Sequence, residues 1–252
     1  MSENIIFFHG FTQTKASFKP FVESLIPKIN QNSKDDFNLI TFDLPGHGNA
    51  GEVESNFNEL NNIIETHLPA HFLGYSLGAR LAAKCAIDLL PYVKTLTLIS
   101  CNPGITDTLE KAERARQDFA LADKLSEMNG VEFKTFIDEW VRQPLFGNHI
   151  PNQDDLNARY LSNPKGLAGS LINFGQGNFV PIWEQMNIFS KVSLKVLIVA
   201  GSNDLKYRNI AYEIAKTTGD TSMLELVEDA FHSPHLERSD TVAELYANFL
   251  LN

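Results

Sequence analysis

The 252-residue sequence is short of several things, and each shortage removes a class of protein. It has two cysteines, Cys85 and Cys101, both set in apolar strand-like or helix-like patterns where a thiol reads as a small buried hydrophobe. No disulfide framework or zinc site is therefore expected, and the expectation for metal and cofactor is none. Positive charge is scarce: 21 Lys plus Arg face 31 Asp plus Glu, a formal net charge of −10, and no basic stripe relieves it. A sequence-independent grip on phosphate backbones needs such a stripe, so nucleic acid is not an expected partner. No apolar run approaches the ~18 residues needed to span a bilayer, and no membrane partner is expected. The start, Met1-Ser2-Glu3-Asn4 passing at once into Ile5-Ile6-Phe7-Phe8, lacks the basic end, apolar core and small-residue cleavage site of a secretion signal. The expectation is a cytoplasmic protein.

What is present is ordinary for a globular chain: 43% hydrophobic and 21% charged residues, enough to bury a core without staples. The length suits one large domain, or one domain with a sizeable insertion. Short apolar runs recur at Ile5 to Phe8, Leu39 to Phe42, His71 to Leu73, Leu96 to Ile99, Val196 to Val199 and Leu224 to Val227. Without period-2 alternation they suit strands buried on both faces, as in a parallel sheet covered by helices. Helical spacing is clearest in Leu77 to Leu90 and in Asp240 to Leu250. Alternation of the two predicts an α/β doubly wound fold. From about Asn102 to Met186 the rhythm breaks: Asp107 to Ser126 and Val131 to Val141 read as helices, and no strand is convincing. The expected organisation is a core of residues 1–101 and 188–252, with 102–187 inserted as a helical cap over the sheet's carboxyl edge.

Gly74-Tyr75-Ser76-Leu77-Gly78 fits G-x-S-x-G, with a strand ahead and an amphipathic helix behind. A serine at so sharp a corner leaves no room for β-carbons two residues to either side. Its hydroxyl needs a base, and the base an acid, in chain order Ser, Asp or Glu, His. Asp204 follows the strand ending near Ala200, and His232 follows the strand ending at Val227. They are the expected acid and base. Asp220 and Asp229 compete for the acid role, although neither lies directly past a strand, and His235 competes with His232. Phe8-His9-Gly10-Phe11 directly follows the first strand, so the backbone amides of Phe11 and Leu77 are the expected oxyanion hole. His9 and His47 read as loop-shaping residues.

These motifs, with Asp43-Leu44-Pro45-Gly46-His47-Gly48, resemble the α/β-hydrolase superfamily, which implies a mostly parallel sheet flanked by helices with a helical cap inserted. A closer resemblance is carried by Ala79-Arg80 after the elbow, Pro103-Gly104, Trp140 with Pro144-Leu145-Phe146, Gly175-Gln176-Gly177 with Trp183, and His232 with His235-Leu236-Glu237. These look like 2-succinyl-6-hydroxy-2,4-cyclohexadiene-1-carboxylate synthases of menaquinone biosynthesis. That resemblance implies a lyase in which the triad removes a proton and the substrate expels pyruvate, without an acyl-enzyme. It implies Tyr75, Arg80, Arg114 and Trp140 as substrate-binding residues. The chain departs from the pattern at Phe231, Ser239 and Ala79, and at Ile172, where an arginine is expected.

The residues themselves accord with a small polycarboxylate substrate. A −10 protein holds a polyanion only where specific arginines outweigh the general repulsion. Arg80, four residues after Ser76 in an otherwise small and apolar run, can face the same cleft. Arg114 and Arg116 also fit a charged helix, and Tyr75 and Trp140 also fit plain packing. Two other readings stand beside the lyase. One is a serine hydrolase of esters, thioesters or carbon-carbon bonds working through an acyl-serine. The other is a non-catalytic binding protein that keeps the fold alone.

Overall fold

The computed structural model describes residues 2–32 and 36–251; Met1 and Asn252, the outer bounds of the expected core, lie outside them. Six strands form one sheet: β1 (Glu3–Phe8), β2 (Phe37–Thr41), β3 (Ala70–Tyr75), β4 (Val93–Ile99), β5 (Lys195–Gly201) and β6 (Ser222–Val227). Their order is β2-β1-β3-β4-β5-β6, and every neighbouring pair is parallel. Each apolar run of the sequence lies in a strand, except that β2 stops at Thr41 and leaves Phe42 outside.

Both faces of the sheet are covered, which is why its central strands are apolar at consecutive positions. Ile5, Phe7, Leu73, Tyr75, Leu197 and Val199 pack with α1 (Lys19–Asn32) and α11 (Ser239–Leu251). Ile6, Phe8, Phe72, Leu96, Leu98 and Ile198 pack with α2 (Phe57–Glu65), α3 (Leu77–Asp88), α8 (Ile188–Lys191) and α9 (Leu205–Thr218). The short α10 (Pro234–Glu237) precedes α11.

Between β4 and β5 run α4 (Thr108–Glu127), α5 (Gly130–Trp140), α6 (Gln153–Tyr160) and α7 (Pro164–Phe174). They hold a hydrophobic cluster of their own, including Leu125, Phe133, Ile137, Leu167 and Leu171. Capping explains where two of them begin: the Asp107 side chain accepts from Glu110 N–H, and Asn129 with Glu132 forms a capping box. Parallel strands bring all carboxyl ends to one edge. The segments after β1, β3, β5 and β6 therefore meet there, below these four helices.

Candidate active site

Ser76 stands between β3 and α3 at φ 54° and ψ −112°, a conformation side chains rarely adopt. The flanking glycines make it possible. A Cβ at Gly78 would sit 2.1 Å from the Phe8 carbonyl oxygen, and one at Gly74 would sit 2.5 Å from that of Gly78.

The Ser76 hydroxyl donates to His232 Nε2 at 3.0 Å, and His232 Nδ1–H donates to Asp204 Oδ2 at 2.8 Å. The Asp204 bond fixes the tautomer that leaves Nε2 free to accept. Asp204 is buried, and its other oxygen accepts the Tyr207 amide at 3.2 Å, so its charge is held on two sides. The Tyr207 ring centroid lies 4.2 Å from that of His232 and that of Tyr75 5.5 Å, which fixes the imidazole in place. A hydroxyl so arranged can pass its proton to the imidazole, whose new charge faces a buried carboxylate.

The competing residues lie elsewhere. Asp229 is exposed and Asp220 sits in the turn after α9. His235 is fully buried with no hydrogen-bond partner, against the rings of Tyr75, Phe18 and Phe21, and burial keeps it neutral. His9 donates to the Gly10 carbonyl and accepts the Leu44 amide, tying the loop after β1 to the loop after β2. Burial pushes His9 down to about 4 and His47 to about 3. Cys85 and Cys101 are buried free thiols; burial raises both, Cys101 to about 12.

A cavity of about 330 Å³ opens on Ser76 and His232. Phe11 and Leu77 border it, and neither amide donates to another described residue. Tyr75, Arg80, Arg114 and Trp140 line it too. Tyr75 Oη and Ser233 Oγ share a 2.7 Å hydrogen bond, and Trp140 packs edge-on against Phe11 with centroids 5.3 Å apart.

The arginines differ in how they are balanced. Arg114 donates to buried Asp118 at 2.7 Å and to Gln176 at 3.3 Å. Arg80, 3% exposed, has no carboxylate partner: Nη2 donates to the Phe174 carbonyl at 2.7 Å, and Nε has no partner at all. Burial pulls its pKa down to about 10. A buried guanidinium left this way suits an anion entering from the cavity. Ser170, one helical turn before Phe174 on α7, lines the same cavity with a buried hydroxyl that is also unpartnered.

The pattern of the alpha/beta hydrolase family matches residues 5–245. The chain belongs to that family. A Bacillus subtilis (strain 168) protein provisionally named 2-succinyl-6-hydroxy-2,4-cyclohexadiene-1-carboxylate synthase is 30% identical over 99% of this chain and 90% of its own length. The synthase of that name from Citrobacter koseri is 22% identical over 98% of this chain and 93% of its own. The structure of MenH from S. aureus superposes with a TM-score of 0.83 at 26% identity, covering 98% of this chain and 93% of that one.

Two features of this alpha/beta hydrolase site escape sequence reading. Ile172, where the synthase resemblance expects an arginine, packs with the cluster of α4 to α7. A third arginine does border the cavity: Arg159 on α6, 4% exposed, which grips Asp155 through Nε at 3.1 Å and Nη2 at 2.8 Å. In sequence, Asp155 and Arg159 form an ordinary i, i+4 pair of the kind found on solvent-facing helices. Only the fold shows them buried. Gln176 and Tyr207, joined at 3.4 Å, link the Arg114 side of the cavity to the Asp204 side; Gln176 lies in the Gly175-Gln176-Gly177 motif, but no motif marks Tyr207.

Proposed function

We propose that the chain is a carbon-oxygen lyase of the 2-succinyl-6-hydroxy-2,4-cyclohexadiene-1-carboxylate synthase type, acting in menaquinone biosynthesis. The reaction eliminates pyruvate from 2-succinyl-5-enolpyruvyl-6-hydroxy-3-cyclohexene-1-carboxylate. The observation that carries the proposal is Arg80, a buried guanidinium without a carboxylate partner in the cavity that also holds the Ser76–His232–Asp204 relay. A pocket for neutral esters gains nothing from a charge that is costly to bury. A pocket for a substrate with several carboxylates does.

Ser76, activated by His232, removes the proton at ring carbon 2, next to the succinyl ketone. The electron pair forms a C2–C3 double bond, the C3–C4 pair shifts to C4–C5, and the C5–O bond breaks. The enolpyruvyl group leaves as the enolate of pyruvate and takes up a proton, which the imidazolium of His232 can return. Negative charge developing on the ketone oxygen meets the amides of Phe11 and Leu77. Arg80, Arg114 and Arg159 supply the positive charge for the carboxylates, and Tyr75 and Trp140 form the pocket wall. Asp118 and Asp155 pair with two of these arginines, so Arg80 carries the most uncompensated charge. Helices within residues 102–187 act as the cap over the core of 1–101 and 188–252.

Incubated with the succinyl-enolpyruvyl cyclohexene substrate, the purified protein should release pyruvate, and Ser76→Ala should abolish the release. Wild-type protein releasing none above background rejects the lyase. Prompt turnover of an activated ester with a burst, in that case, would establish the acyl-serine hydrolase instead.

A further inference from the structure

We propose that Glu237 is a positioning residue that holds His232 at the distance Ser76 requires. The inference rests on the reading of His232 as the base, which the lyase and the hydrolase share.

His232 sits between β6 and α10 in a stretch with no ladder to hold it. Each backbone amide around it nevertheless has a partner. Phe231 N–H donates to Glu237 Oε2 at 2.8 Å, and Ser233 N–H donates to Glu237 Oε1 at 2.9 Å. The amide between them, that of His232, donates to the Leu145 carbonyl at 3.3 Å. One carboxylate thus splints the residues on both sides of the imidazole, and its two oxygens serve one amide each. Bonds from N–H groups to an ionised acceptor are stronger than neutral ones, and two of them fix orientation as well as position.

Glu237 is well anchored for this task. It closes α10, a single turn begun by Pro234, and its own amide donates to the Ser233 carbonyl at 2.9 Å. The side chain therefore folds back over the turn that its backbone completes. It touches neither Ser76 nor the cavity, so its influence on the reaction passes through His232. The 3.0 Å bond from Ser76 spans two different loops, and a shift of the His232 loop would lengthen it directly.

The test is Glu237→Gln, followed by three readings: the rate at which a fluorophosphonate labels Ser76, kcat and KM for the succinyl-enolpyruvyl cyclohexene substrate, and the thermal midpoint. The amide keeps one acceptor oxygen but turns an NH2 group on the second backbone N–H. Labelling and kcat should fall between about 10- and 100-fold, the loss expected from misplacing a catalytic group by up to an ångström. KM should stay within about twofold, since no arginine is disturbed. If Gln prevents folding, Glu237→Asp keeps the charge at shorter reach and should give an intermediate loss. A labelling rate equal to wild type in folded protein would show that Glu237 only stabilises the turn, and would overturn the inference. Labelling that survives His232→Ala would overturn the base assignment beneath it.

Discussion

Replacing Arg80 with methionine separates binding from stability in a way few other changes would. The side chain is 3% exposed; it donates one hydrogen bond to the Phe174 carbonyl and lies with Cζ 5.1 Å from the Phe179 ring centroid. Its pKa falls from 12.5 to about 10 through burial, which corresponds to about 3 kcal/mol of lost solvation for the charge. The hydrogen bond to Phe174 returns about 1.5–3 kcal/mol. Methionine fills similar space without the charge, so the two terms nearly cancel. The remainder is at most about 1.5 kcal/mol, so at about 2–4 °C per kcal/mol for a chain this long the thermal midpoint should stay within about 6 °C of wild type. Binding should respond differently. A charge-assisted contact to a substrate carboxylate, worth about 1.5–3 kcal/mol, becomes a rise in KM of about 10- to 150-fold for the succinyl-enolpyruvyl substrate. A small neutral ester should show less than about a threefold change, because it makes no such contact. Steady-state kinetics on both substrates, with a thermal melt of each protein, measure all of this. Equal losses on the two substrates, or a collapsed midpoint with KM unmoved, would refute a substrate-facing role.

His9 and His47 stay neutral in the folded protein at pH 5, whereas in the unfolded chain both take up protons below the ordinary value of 6.5. The unfolded state then binds more protons, so stability falls as pH drops from 6.5 towards 4, by about 2 kcal/mol between pH 6 and 5 for the pair. Denaturant midpoints that do not move between pH 7 and 5 would contradict their burial as neutral rings. Gly147 has φ +59°, and a Cβ there would lie 2.4 Å from the Phe231 ring beside His232. Gly147→Ala should cost about 1–3 kcal/mol in a thermal melt and slow Ser76 labelling, and wild-type values for both would show that the turn yields. Tyr246 is fully buried with an unpartnered hydroxyl, so Tyr246→Phe should be neutral or stabilising in a melt. A loss above about 1 kcal/mol would mean that the hydroxyl has a partner.

How much of this could be read from the sequence depended on whether the signal was local. The central strands were legible because both faces are buried and their residues are apolar in unbroken runs. β2, an edge strand only half buried, ends at Thr41, one residue short of its apolar run, which continues to Phe42. Ser76 directly follows β3, and Asp204 and His232 stand in the loops just past β5 and β6; position relative to a strand end is a local property, so the three could be named as candidates. Helices α6 and α7 were not legible. The first is rich in Asp, Asn and Arg, and the second begins at Pro164 and carries Gly166 and Gly169. Tertiary packing sets α7: a Cβ at Gly166 would lie 2.3 Å from the Gly51 carbonyl oxygen, so the helix runs against that loop where only glycine fits. Arg159 pairs with a neighbour on its own helix and only the fold carries it to the cavity, Gln176 meets Arg114 and Tyr207 from distant parts of the chain, and Glu237 accepts from backbone amides, so residue type alone reveals none of these contacts.

The proposed lyase joins a serine-histidine relay to arginines in one cavity in order to eliminate pyruvate. The decisive experiment follows pyruvate and the conjugated cyclohexadiene together during a single incubation with the succinyl-enolpyruvyl substrate. Both should appear in equal amounts and at the same rate, and both should be lost in Ser76→Ala and His232→Ala. Substrate left intact by a protein that turns over activated esters, or pyruvate formed equally fast by Ser76→Ala, would contradict the proposed lyase.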